Sequence, residues 1–188
     1  MTAAGERARL ELHLGEMRQL FNSMDPAPFR ERDLDPKACD YIVDWAGERP
    51  RDQPLALSVC LSRQLPVPGD EALLGAAVRD YFAGRAAAKR HELSRLFRTG
   101  RLSLVIGLAF LAGANLLAGW LGRLITDEGS SWLVSESLVI GGWVALWRPM
   151  EIFLYDWWPL RADARLFDRL ATMAVDLRGA DAVAGVGA

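Results

Sequence analysis

Leu102-Ser-Leu-Val-Ile-Gly-Leu-Ala-Phe-Leu-Ala-Gly-Ala-Asn-Leu-Leu-Ala-Gly-Trp-Leu-Gly122 runs for 21 residues between Arg101 and Arg123 without one ionisable side chain. At ~1.5 Å per helical residue the stretch covers about 30 Å, the thickness of the hydrocarbon layer of a bilayer. Only a helix satisfies so many backbone groups where water is absent. A helix apolar on every side over this length is foreign to the core of a small soluble fold. The run starts about a hundred residues into the chain, exceeds the length of a signal-peptide core and lacks a small-residue cleavage site. It reads as a transmembrane span over residues 102–122.

A second apolar stretch follows the polar link Leu124-Ile-Thr-Asp-Glu-Gly-Ser-Ser131. Its charge-free part, Ser137 to Trp147, holds 11 residues and is too short to cross alone. Extended over 132–153 it reaches spanning length, with Glu136, Arg148 and Glu151 kept to its outer thirds. Ser130 or Ser131 is the expected N-cap. Trp132 at one end and Tyr155, Trp157 and Trp158 at the other suit the two membrane–water interfaces. Six cations lie between Arg85 and Arg101, three more at Arg161, Arg165 and Arg169, and only Arg123 in the link. The positive-inside rule therefore places both termini in the cytoplasm and the link outside. The basic stretch also anchors the chain to anionic lipid.

The remaining residues read as a small cytoplasmic α/β domain of two to three strands. Leu10-Glu-Leu-His-Leu14 alternates as a half-buried strand does, and a short helix through Met17, Leu20 and Phe21 follows. Asp35-Pro36 gives an N-cap and a proline at the first helical position, opening a helix that ends at Gly47. Leu55–Leu61 is a strand bounded by Pro54 and Pro66. A long helix starts at Gly69-Asp70 and runs into the first span, with a weak point expected at Thr99-Gly100. After the second span, 161–170 is helical and Met173–Leu177 alternates again. Three strands need a helical cover to be stable, so the last strand is expected to rejoin the first two. The chain is then an α+β membrane protein: residues 1–98 form the domain, 99–159 a two-helix transmembrane hairpin inserted into it, 160–178 the returning helix and strand, and 179–188 a disordered tail.

A net charge of −2 and a pI near 5.7 argue against nucleic acid as a partner. Cys39 and Cys60 read as reduced packing residues, and with His13 and His91 they form no metal motif. Asp25, Glu31, Asp33 and Asp35 lack the alternation and central glycine of a Ca²⁺ loop. No nucleophile–base arrangement and no glycine-rich phosphate loop is present, so neither a catalytic residue nor a cofactor is expected.

The candidate functional residues lie in the hairpin. Arg148 and Glu151, three apart, meet on one helix face, where a pair of charges in lipid is either a helix-end anchor or part of a gate or headgroup site. Glu136 is favoured by the helix N-terminus, and in an oligomer would form an acidic ring. Ala109-x-x-x-Gly113 and Asn115-x-x-x-Gly119 are small-residue pairs suited to helix packing, with Gly141-Gly142 as a matching flat spot on the second span. These features imply a non-catalytic integral membrane protein that holds a small interaction domain at the lipid bilayer, as an accessory subunit of a larger complex or as an oligomer. The alternative is a homo-oligomeric ion channel or transporter lined by the second span.

The segments Leu20-Phe-Asn-Ser-Met-Asp-Pro-Ala-Pro-Phe-Arg-Glu-Arg-Asp-Leu-Asp35 and Gly142-Trp-Val-Ala-Leu-Trp-Arg-Pro-Met-Glu-Ile-Phe-Leu-Tyr-Asp-Trp-Trp-Pro159 resemble those of a group of small bacterial proteins with two transmembrane helices. The resemblance covers nearly the whole chain and implies a bacterial inner-membrane setting, with no activity attached. Trp147-Arg-Pro-Met-Glu151 is more loosely similar to the Trp-Asp-x-x-Glu-Pro motif of the mitochondrial calcium uniporter. It departs from that motif in having Arg for Asp, the proline ahead of the glutamate, and a place on the face of the termini.

Overall fold

The computed structural model describes residues 7–24, 32–63, 65–124 and 128–179. Three strands, β1 (Ala8–Leu14), β2 (Leu55–Leu61) and β3 (Ala174–Arg178), are joined by helices: α1 (Pro36–Gly47) between the first two, and α2 (Asp70–Leu124), α3 (Glu128–Glu151) and α4 (Trp157–Ala171) between the last two. A 3₁₀ turn at Met17–Leu20 follows β1, and a π-helical turn, Ile152–Asp156, joins α3 to α4. The protein is thus a mixed α/β chain with two helical stretches long and apolar enough to cross a membrane. By internal contacts it divides into two units, the described residues up to Ala88 with those from Ala162 on, and Lys89–Arg161.

The first unit is built on a parallel sheet in the order β1-β2-β3. Leu10 lies beside Leu57 and Leu57 beside Val175, while Glu11, Ser58 and Asp176 form the next row. The returning strand therefore pairs with β2. It lies one residue later than its alternation suggests, at 174–178 rather than 173–177. Right-handed crossovers that add each new strand on the same side leave all connecting helices on one face. The core agrees with this rule. Ile42 of α1, Leu74, Val78 and Phe82 of α2, and Phe167 and Leu170 of α4 join Leu10, Leu57, Val59 and Leu61 in one cluster. The other face carries Arg9, which reaches Asp176 across β2 at 3.6 Å. Helix α1 starts where the Asp-Pro signal puts it: an Asp35 carboxylate oxygen accepts from the backbone N–H of Lys37 at 3.0 Å and of Ala38 at 3.3 Å.

In the second unit the expected weak point at Thr99-Gly100 is absent, because α2 is unbroken from Asp70 to Leu124. A glycine costs a helix about 1 kcal/mol, and here it is offset by packing, since Gly100 is buried. The expected cap at Ser130 or Ser131 is also displaced. Helix α3 begins at Glu128, so both serines are helical. Apolar residues mark where the hydrophobic stretch begins, whereas the backbone starts turning earlier. Of the tail expected over 179–188, residues 180–188 lie outside the described residues, as do Asp25 and Glu31 of the acidic segment.

Candidate functional site

The hairpin unit is held by a seam that repeats every seven residues. On α2, Gly100, Gly107 and Ala114 are buried, and Leu104, Leu111 and Ala118, each four residues further on, are half-buried. The facing row is Leu138, Gly142, Ala145, Pro149 and Ile152, of which Gly142, Pro149 and Ile152 are buried. Alternating steps of four and three are the signature of left-handed knobs-into-holes packing. A side chain added at Gly142 would collide with Leu111, and one at Gly100 would stand 2.7 Å from Ile152. The pairs Gly100 with Ile152, Gly107 with Leu146 and Leu111 with Gly142 run in opposite directions, as a hairpin requires.

Of the residues put forward as small-residue pairs or as the matching flat spot, Gly142 is in this seam and buried, and Gly141 beside it is half-buried. Ala109, Gly113, Asn115 and Gly119 are exposed, and a side chain built on Gly113 or Gly119 meets no other part of the chain among the described residues. Asn115 donates its Nδ2 proton to the Leu111 carbonyl of its own helix at 3.1 Å. Spacing by four seeks a right-handed crossing, while this pair of helices uses the seven-residue repeat. That signal was present in the sequence at 100, 107 and 114.

Pro149 explains one of the closest approaches. Proline has no N–H to return to the carbonyl four residues back, here Ala145. A side chain on Gly107 would stand 3.1 Å from that Ala145 oxygen and 2.9 Å from Leu146. Glycine at 107 therefore lets α2 close over the carbonyl that Pro149 leaves without its helical partner.

Arg148 and Glu151 meet as their spacing suggests, with Nη1 donating to Oε2 at 3.0 Å. A third member was not legible in sequence: Asp156 Oδ2 lies 3.3 Å from the same nitrogen. Asp156 is eight residues on, and the π turn at 152–156 changes the helical phase that separates them. One guanidinium thus faces two carboxylates at the end of α3. Beside it, Trp157 donates its Nε1 proton to the Phe153 carbonyl at 2.9 Å, and Phe97 stacks on Phe153 with ring centres 6.2 Å apart. Arg161 lies 5.6 Å over the Trp157 ring. Glu136 is exposed near the other end of α3. A gap beside the seam, lined by Leu111, Ala114, Asn115, Ala118, Leu138 and Val139, has no room for a water molecule.

Outside the hairpin, Cys39 and Cys60 are free and buried. The Tyr81 hydroxyl lies 3.5 Å from Cys39 Sγ and donates to it. Burial, and then this hydrogen bond, push the phenol above the usual tyrosine range. Among the described residues no three His, Cys, Asp or Glu side chains gather as metal ligands. No family model, curated protein or solved structure matches the chain.

Proposed function

We propose that this protein is a non-catalytic, membrane-anchored component that carries its α/β unit on the cytoplasmic face of a bacterial inner membrane. The observation that carries the reading is the outward face of the hairpin. Leu116 is 77% exposed, Val144 69%, Leu102 62% and Phe110 51%. A contiguous apolar surface of this extent is untenable in water and ordinary in lipid. The exposed Trp132 and the exposed Tyr155 and Trp158 flank it as an interfacial belt would. The Arg148–Glu151–Asp156 group fits a charged anchor at the inner interface, where one cation faces two acids and the remaining negative charge keeps the group at the water side. The bacterial setting rests on the resemblance of 20–35 and 142–159. An accessory role rests on the small α/β unit, for which partners in a larger complex or further copies of the chain supply the assembly.

Expression in a bacterium followed by alkaline carbonate extraction should leave the protein in the pellet. With single cysteines introduced in turn, an impermeant maleimide should label Glu128→Cys in intact cells and Arg63→Cys only after permeabilisation. Release by carbonate would remove the membrane reading, and labelling of Arg63→Cys in intact cells would invert its topology. Conduction would need several copies around a shared path lined by Glu136, because the gap within one hairpin is too small for water. Purified protein in liposomes should pass no ions above empty controls, and flux sensitive to Glu136→Gln would restore the channel alternative.

A further inference from the structure

Four arginines from four separate segments surround one cavity of the α/β unit. Arg7 precedes β1, Arg51 lies in the loop before β2, Arg79 is on α2 and Arg169 is in the last turn of α4. The cavity measures about 440 Å³ and opens where the strands begin, since Leu55 and Ala174, the first residues of β2 and β3, line it. Among the described residues Asp52 is the one acid in the lining, against four arginines. A local run of basic residues is commonly a solvated face, but no local run brings positions 7, 51, 79 and 169 together. The fold does so, at a concentration of like charge that a bound anion would relieve.

Part of this arrangement is fixed in advance. Arg169 Nη2 donates to the carbonyls of Pro50 at 2.8 Å and Gln53 at 3.1 Å. These bonds tie the loop that carries Arg51 and Asp52 to α4, so Arg169 positions the other groups. Guanidinium forks match the oxygens of a phosphate, and several converging forks favour a multiply charged one. The volume admits the phosphate and part of what it is attached to. A neighbouring groove of about 550 Å³ shares Arg79, Met173 and Ala174 with the cavity, and Glu71 lines it. With Glu71 set against Arg79 the described lining of this groove carries no net charge, which suits a neutral or zwitterionic remainder of the ligand.

We propose that the cavity formed by Arg7, Arg51, Arg79 and Arg169 is a binding site for a phosphate or diphosphate group, carried by a soluble ester or by a lipid headgroup. The proposal does not depend on the hairpin crossing a membrane.

The test uses the full chain in neutral detergent micelles and inorganic pyrophosphate as probe, followed by titration calorimetry. Saturable binding is expected. Arg7→Gln and Arg79→Gln, both exposed positions, should each weaken it about tenfold, the usual size of a lost charge-assisted hydrogen bond. Arg18→Gln, outside the cavity, should leave it unchanged. Phosphatidic acid is then added to the micelles. A fall in apparent pyrophosphate affinity, absent in Arg79→Gln, would identify a lipid headgroup as the natural source of the phosphate, and unchanged affinity a soluble ester. Melting curves that match the parent verify that the variants are folded. Absence of saturable binding, or binding that survives the double substitution Arg7→Gln/Arg79→Gln, overturns the proposal.

Discussion

The two units use the same apolar side chains in opposite senses. In the α/β unit Phe82 and Leu57 are 0% exposed and the charged residues lie outside. In the hairpin the buried positions are largely glycine, alanine and proline, while Leu116, Phe110 and Trp143 face outward. The membrane setting proposed for the hairpin accounts for the difference. In water, removing apolar area is worth about 25 cal/mol per Å², so the large side chains go inside. Between helices in lipid that driving force vanishes, and close approach through small residues replaces it.

The same substitution in both units gives the widest contrast. Phe82→Ala removes a fully buried ring that packs on Tyr81 and Phe167. It should cost about 3–5 kcal/mol, enough to unfold most of a marginal domain. Phe110→Ala, at 51% exposure, should change stability by under about 1 kcal/mol when measured in lipid. Limited proteolysis of the α/β unit and thermal unfolding in bicelles would read the two. Equal losses at both positions would mean that the outward face of the hairpin is buried against a protein surface, and the solvent argument would fall.

Much of this contrast was legible before the structure. Strand β2 and helix α1 carry local punctuation, Pro54 and the Asp35-Pro36 cap, and occur where that punctuation places them. The long helix and its apolar run were equally plain. The features that carry no local signal depend on partners distant in sequence. Gly100 looked like a weak point because its compensation, Ile152, lies 52 positions away. Asp156 joins Arg148 only through a π turn, and a uniform 3.6-residue period cannot anticipate that change of phase. The four arginines of the cavity share no spacing at all, and only the folded α/β unit gathers them.

The seam predicts a second, smaller contrast within one helix. Gly107→Val would drive a side chain against the Ala145 carbonyl, which is backbone and cannot rotate away, whereas Gly113→Val meets open space. Overpacking of this kind costs about 1–3 kcal/mol. Gly107→Val should therefore loosen the hairpin, seen as lost disulfide formation between cysteines introduced at Leu111 and Gly142. Gly113→Val should leave the crosslink intact. A lost crosslink in Gly113→Val with Gly107→Val unaffected would show that the four-residue spacing, and not the heptad, sets the helix contact.

The smallest expected effect tests whether packing in the α/β unit is tight enough to hold a proton. Tyr81 lies against Cys39 in the core-facing part of α2, with Arg85 and Asp33 as the other charged groups acting on it. Burial disfavours the phenolate, and the hydrogen bond to Cys39 holds the neutral form, while Arg85 acts the other way. In the unfolded chain the phenol titrates near its ordinary value of about 10. The folded value is raised, so the contribution of Tyr81 is fully present below about pH 10 and is lost as pH climbs from there towards the folded value. Tyr81→Phe removes both the hydrogen bond and this linkage. At pH 7 the loss should be about 0.5 kcal/mol, since a thiol at 3.5 Å is a weak acceptor. Above pH 10 the parent should lose stability more steeply than the variant, so their urea midpoints should converge. Parallel midpoints across that range would mean that the phenol titrates alike in both states, and that this side of the core admits water as freely as the surface does.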